Sequence, residues 1–216
     1  MPLRIAHRGM PRLATENTLR SFALALDAGA DGLELDVHAT RDGVVVVHHD
    51  PALPDGTVIA ASAAADVLDR EITPGVRVPT LVELCDMVCG RAELFVEVKG
   101  EGIESLVLAA LHEYEGGYAI HSFDHALIAR MHALAPALRL GVLFEDRAPD
   151  LPALLGRTGA RDVWPHAPLV TPALVTQAHA MGARVIPWTI NTSVEAQRLA
   201  ALGVDALCGD DVRMLE

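Results

Sequence analysis

His7 and Arg8 stand side by side near the start of the chain. Glu34 and Asp36 are two residues apart, His48 and His49 are adjacent, and Glu97 and Lys99 are again two apart. Residues two apart in a strand share a face, so each spaced pair would present both of its groups on one side. Lys99 is the only lysine, since the other 16 of the 17 Lys plus Arg are arginine. Three carboxylates brought to one place repel one another unless a cation takes them up. Glu34, Asp36 and Glu97 therefore read as an oxygen-rich site for one divalent ion, Mg²⁺ or Ca²⁺. A histidine outside such a cluster stays free to move protons near neutral pH. Arg8 offers a planar fork to an anion and Lys99 a point charge.

These groups can act together only if the fold gathers them. Short apolar runs alternate with amphipathic stretches along the whole chain. Strands are expected at 3–7, 32–37, 44–48, 93–98, 118–121, 140–144, 162–164, 184–189 and 206–208. Helices are expected at 17–28, 80–89, 103–114, 124–134, 150–157, 172–181 and 193–202. The join between the second and third strands, "TRDG", is far too short for a parallel crossover, and Asp42-Gly43 signals a hairpin. Removing that returning strand leaves eight strands in β/α alternation, as a (β/α)8 TIM barrel requires. An open doubly wound sheet is the alternative, but no Gly-x-Gly-x-x-Gly follows the first strand.

In such barrels, sites form at the C-terminal ends of the strands. The polar residues expected there are His7, Arg8, Glu34, Asp36, His49, Glu97, Lys99, Ser122, Trp188, Asn191 and Asp210. With Asp42 and Gly43 as a two-residue turn, His49 falls opposite Asp36, and a one-residue slip would put His48 there instead. A metal, two cations and the free histidines His7 and His49 fit hydrolysis of a phosphate ester. Trp188 and Phe123 offer apolar walls at strand ends, and Asn17 reads as a helix N-cap beside which a phosphate could sit. His38, His112, His125, His132 and His179 read as surface or core histidines. The stretch "HSFDH" places His121 and His125 four apart, but a helix beginning at Ser122 argues against a zinc pair.

Composition narrows the partners. A net charge of −12 would repel a nucleic acid. No apolar run is long enough to span a bilayer without a charge or breaker, and "MPLRIAHRGM" enters a strand pattern with no secretory n-region. Three cysteines fit a reducing compartment, so a cytoplasmic location and a small-molecule substrate are expected.

The stretches "AHRGMPRLATENTLRSF", "GLELDVHATRDGVVVVHHD", "PTLVEL", "FVEVKG", "PWTIN" and "GVDAL" together resemble the glycerophosphodiester phosphodiesterase family. The resemblance implies a (β/α)8 barrel forming one domain over 1–216, with a small insertion at about 51–79. It also implies metal-dependent hydrolysis of a glycerophosphodiester to glycerol phosphate and an alcohol. By the same resemblance His7 and His49 are acid and base, Arg8 and Lys99 bind phosphate, and Glu34, Asp36 and Glu97 hold the metal. Gly209 and Val212 depart from the family's pattern, and neither Glu16 nor Asp210 receives a role from it. A lysophospholipase D-type enzyme would need a more apolar mouth than four Phe, two Tyr and two Trp suggest. A non-catalytic phosphodiester-binding module on the same fold is the rival from another class.

Overall fold

A computed structural model describes residues 1–216. In chain order its elements are β1 (Leu3–His7), α1 (Leu19–Asp27), β2 (Gly32–Ala39), β3 (Val45–Val47), α2 (Ala64–Leu68), β4 (Glu71–Thr73), β5 (Val76–Arg77) and α3 (Leu81–Val88). There follow β6 (Glu93–Val98), α4 (Glu104–Leu111), β7 (Tyr118–Ser122), α5 (His125–Leu134), β8 (Arg139–Phe144) and α6 (Leu151–Thr158). The chain ends with β9 (Asp162–Pro165), α7 (Pro172–Ala180), β10 (Arg184–Val185), α8 (Ser193–Ala201) and β11 (Ala206–Gly209). Eight strands run parallel in the order β10-β9-β8-β7-β6-β2-β1-β11, and β3 pairs antiparallel with β2. Backbone bonds from Asp205 N to Val185 O and from Cys208 N to Pro187 O, each 3.0 Å, join the two ends of that order. The result is a (β/α)8 barrel.

Alternation along the strands divides the side chains between two cores. Leu33, Leu35 and Val37 of β2 and Leu94, Val96 and Val98 of β6 pack outward into the large cluster shared with the helices. Ile5, Phe95, Ala119, Leu143, Trp164, Ile186, Ala206 and Cys208 fill the barrel itself. Its two large aromatics fit because glycines face them: a Cβ at Gly32 would overlap the Phe95 ring, and one at Gly141 the Trp164 indole. The interior is therefore packed, and open space is left at the strand ends.

The hairpin differs from the sequence expectation by one residue. Val37 pairs with Val47 and His38 with Val46, and Gly43 sits at φ +88°. Thr40 closes the turn by donating to Val44 O at 2.9 Å, so three residues, Arg41 to Gly43, form the loop. A third loop residue with a left-handed glycine suits the strand twist as a type I turn plus bulge does. His48, not His49, consequently lies beside Asp36, and its N–H donates to Asp36 O at 3.0 Å.

Strand β10 is also shorter than the expected 184–189. Pro187 has no N–H to extend the ladder, although Ile186 N and Trp188 N still donate to Val163 O and Pro165 O. Between β3 and α3 the chain forms α2 and the β4–β5 hairpin over a small core of Val46, Leu53, Ile59, Val67, Ile72 and Val78. No helix is long and apolar enough to cross a membrane.

Candidate active site

The β1–α1 loop has a residue in an unusual backbone state near each end. Arg8 and Asn17 both have positive φ, +54° and +56°, a conformation that costs a non-glycine residue about 1 kcal/mol or more. The surroundings hold it in place. Asn17 N donates to Arg8 O at 3.0 Å, and Arg8 N donates to Glu34 O at 2.9 Å. Asn17 is not the helix cap; Thr18 takes that place and accepts from Ser21 N. Displaced from the cap, the Asn17 amide meets Asp36 twice, donating to Oδ2 at 2.8 Å and accepting from the Asp36 N–H at 3.3 Å. Only 1% exposed, it lies behind the site instead of lining it.

Asp36 is wholly buried. Arg8 Nε lies 3.0 Å from its Oδ2 and Lys99 Nζ 3.4 Å from its Oδ1. Burial works against the Asp36 charge, but the Arg8 and Lys99 charges outweigh it and hold the carboxyl below its ordinary range. Glu16 takes the other end of Arg8, accepting from Nη1 at 3.0 Å. Lys99 also contacts Glu97 Oε1 at 2.8 Å. Burial, then the neighbouring Asp36 charge, push the Glu97 carboxyl up to about 7 despite that lysine.

Two imidazoles are oriented alike. His7 Nδ1 is 2.8 Å from Asp210 Oδ1, and Asp210 Oδ2 accepts from Asn191 Nδ2 at 2.8 Å. His49 Nδ1 is 2.8 Å from Asp50 Oδ1. In each ring the Nδ1 partner leaves Nε2 for other work. Burial alone would lower the His7 pKa; the Asp210 hydrogen bond and the Glu34 carboxylate overcome it and raise it. His49 reaches the site although the register differs, because β3 stops at Val47 and the chain bends over His49 and Asp50. His38 Nε2 sits 3.1 Å from His49 O and steadies that bend.

A cavity of about 200 Å³ is lined by His7, Arg8, Glu34, His49, Glu97 and Lys99. Phe123 and Trp188 form part of its wall, packed edge to face with centroids 5.6 Å apart. His121 opens onto the same cavity, a residue that motif reading passes over. The residue was within reach of strand parity, since His121 pairs with Glu97 in the β6–β7 ladder and so points inward with it. His125, its neighbour in "HSFDH", turns away and binds Leu143 O at 2.8 Å. Asp210 was equally reachable, as the next inward position after Cys208.

The donor set suits a divalent cation. Two cations against three carboxylates leave the cavity floor net negative, which would repel a phosphodiester; a divalent ion reverses that sign. Asp36 Oδ1 is buried without a hydrogen bond, as are both ring nitrogens of His121. Atoms of Glu34, Glu97 and His121 all lie within 4.8 Å of one another.

Two His–Asp pairs, two cationic side chains and a carboxylate cluster at the C-terminal mouth of a (β/α)8 barrel are the equipment of a phosphoric diester hydrolase. Residues 7–214 match the model of the Glycerophosphoryl diester phosphodiesterase family, and the chain belongs to that family. It is 31% identical to a glycerophosphodiester phosphodiesterase of Caldanaerobacter subterraneus subsp. tengcongensis, over 98% of this chain and 95% of that protein. A Bacillus altitudinis glycerophosphodiester phosphodiesterase is 30% identical over 95% of this chain and 93% of that one. Among solved structures, an Oleispira antarctica phosphodiesterase in complex with the product sn-glycerol-3-phosphate superposes with a TM-score of 0.92 at 26% identity, covering 100% of this chain and 95% of that one.

Proposed function

We propose that this chain, acting as one catalytic domain, hydrolyses water-soluble glycerophosphodiesters to glycerol phosphate and an alcohol, in the cytoplasm. The observation that carries this reading is the matched pair His7–Asp210 and His49–Asp50, each 2.8 Å, on one cavity with Arg8 and Lys99. Arg8 and Lys99 receive the phosphate oxygens. One imidazole takes a proton from the attacking oxygen as a P–O bond forms; the attacker is water, or the glycerol 2-hydroxyl, in which case water afterwards opens the cyclic phosphate. The other delivers a proton to the departing oxygen as the ester P–O bond breaks. The aspartates fix each ring's tautomer and orientation. Trp188 and Phe123 give the carbon chain of the glycerol an apolar wall. A divalent cation at Glu34, Asp36 and Glu97 would supply charge stabilisation to the phosphoryl oxygens. Two oriented proton carriers distinguish this reading from a binding module, which needs neither.

The test is release of glycerol phosphate from glycerophosphocholine and glycerophosphoethanolamine, with added divalent metal and with EDTA. Turnover that EDTA abolishes, and that His7→Ala lowers by about 10³-fold or more, is the expected result. A folded protein that binds these diesters without turning them over would establish the module instead. Turnover confined to lysophospholipids would establish the lipid phosphodiesterase.

A further inference from the structure

We infer that His121 is a ligand of the metal site, and that its nitrogen makes the site select a transition divalent cation such as Mn²⁺, Co²⁺ or Zn²⁺ over Mg²⁺ and Ca²⁺. This rests on the reading that Glu34 and Glu97 hold a cation.

A buried imidazole ordinarily satisfies at least one nitrogen. His121 is 1% exposed, yet neither Nδ1 nor Nε2 has a hydrogen-bond partner. Four other histidines around the mouth each have one: His7 has Asp210, His49 has Asp50, His38 has the His49 carbonyl and His125 the Leu143 carbonyl. His121 is fully buried with neither nitrogen paired, and it faces acids. Its Nε2 is 3.6 Å from Glu34 Oε1, too far for a hydrogen bond. Two ligand atoms on one ion, each about 2.0–2.2 Å from it, stand about 3–4.4 Å apart. The 3.6 Å separation is thus a ligand-to-ligand spacing.

The ring is also held in place. It stacks on Trp164 with centroids 4.3 Å apart and planes 8° from parallel, and Trp164 is locked against Phe95 at 5.4 Å. A ring clamped on its face keeps its nitrogens in one plane, which is what a directional ligand needs. The backbone supports the same arrangement: Glu97 and His121 are register partners on adjacent strands.

Chemistry then sets the preference. Carboxylates alone suit Mg²⁺, Ca²⁺ and Mn²⁺, the first two of which are what the three acids suggest by themselves. Imidazole nitrogen is a poor ligand for Mg²⁺ and Ca²⁺ and a good one for the later divalent ions.

Metal-free protein would be titrated with Mn²⁺, Mg²⁺, Ca²⁺ and Zn²⁺ by calorimetry, alongside His121→Gln and His121→Ala, with melting curves confirming that the variants fold. Pulsed electron paramagnetic resonance of the Mn²⁺ form would report nitrogen bound directly to the ion. Expected are Mn²⁺ and Zn²⁺ binding about 10²-fold tighter than Mg²⁺, a drop of about tenfold or more for those two ions in His121→Gln, and little change for Mg²⁺. The directly coupled ¹⁴N signal should be present in the parent protein and lost in both variants. Tight binding with no such signal, or with a metal preference that His121→Gln leaves unchanged, overturns the inference while leaving the carboxylate site standing. No binding of any divalent ion overturns both. If one variant unfolds, the other decides, and the ¹⁴N coupling of the unmodified protein stands independently of both.

Discussion

His7 Nδ1 and Asp210 Oδ1, residues from opposite ends of the chain, meet at 2.8 Å where β1 and β11 run side by side in the barrel. The bond fixes which nitrogen of His7 faces the cavity, and it holds the imidazole pKa above its ordinary value against the opposing effect of burial. Asp210→Asn keeps the shape but removes the charge and can favour the wrong tautomer. We expect kcat/KM to fall by about 10²-fold or more. Removing the carboxylate also lowers the His7 pKa, so the limb of the pH–rate profile that reports His7 should move to lower pH, whether His7 acts as acid or base. A full pH profile of the variant checks this, and an unmoved limb would sink it.

Arg8 is gripped at two points, Asp36 on Nε at 3.0 Å and Glu16 on Nη1 at 3.0 Å. Nη2 is left without a partner, and Arg8 lines the cavity. A lysine offers one nitrogen and cannot meet both acids and a phosphate together. Arg8→Lys should therefore behave almost like a deletion, lowering kcat/KM by about 10²-fold. Glu16→Gln, which keeps a hydrogen-bond acceptor for Nη1, should lose about tenfold at most. Steady-state kinetics of the pair test the ranking; a mild Arg8→Lys would mean that charge alone suffices.

Much of this site was legible from spacing. Glu34, Asp36, Glu97 and Lys99 were placed on their face by parity; β2 and β6 carry the three acids there, and Lys99 follows directly after β6, its N–H on Val37 O. The eight-strand count followed from one short loop. What escaped depended on geometry that the local sequence does not encode. The three-residue turn around Gly43 shifted the hairpin register, and His49 enters the site through a bend beyond the strand. Asn17 looked like a cap because caps are local; its amide instead bonds a carboxylate 19 residues on. His121 lacked a motif, although its strand position pointed inward. Asp210 was expected at the strand ends, but it sits in a stretch that departs from the family's pattern, and only its contact with His7 gives it a role.

The cysteines should separate by reactivity. Cys89 is exposed, while Cys85 and Cys208 are buried. Burial, with a smaller push from Asp86, raises the Cys85 thiol to about 11, and burial raises that of Cys208 as well. The nucleophile is the thiolate, which Cys85 would hold at well under about 1% near pH 8. Native protein should thus release one equivalent of colour rapidly with a chromogenic disulfide reagent, and all three thiols only after denaturation. Cys89→Ser should abolish the fast phase; a fast phase that persists would show that one of the buried thiols is accessible.

At the opposite end of the barrel from the site, Asp162 is fully buried between two arginines. Arg139 Nη1 reaches its Oδ1 at 3.1 Å, and Arg184 clasps both oxygens, Nε to Oδ1 and Nη2 to Oδ2, each at 2.8 Å. Arg184 also lies 5.6 Å from the Phe95 ring, beneath the aromatic layer that supports the site. Removing the acid from this bidentate site leaves Arg139 with no carboxylate and Arg184 with only Glu93, 3.4 Å from its Nη2. Asp162→Ala should destabilise the fold by about 3 kcal/mol, lowering Tm by on the order of 10 °C. Partial exposure of both arginines lets water relieve some of the loss, which is why the lower end of the range applies. The ring of acids and histidines sits a full layer away, so kcat below the melting range should stay within about twofold of the parent. Calorimetry and kinetics on one preparation separate the two effects. A large loss of kcat with an unchanged Tm would show that this end of the barrel is coupled to the catalytic mouth through Phe95 and Trp164.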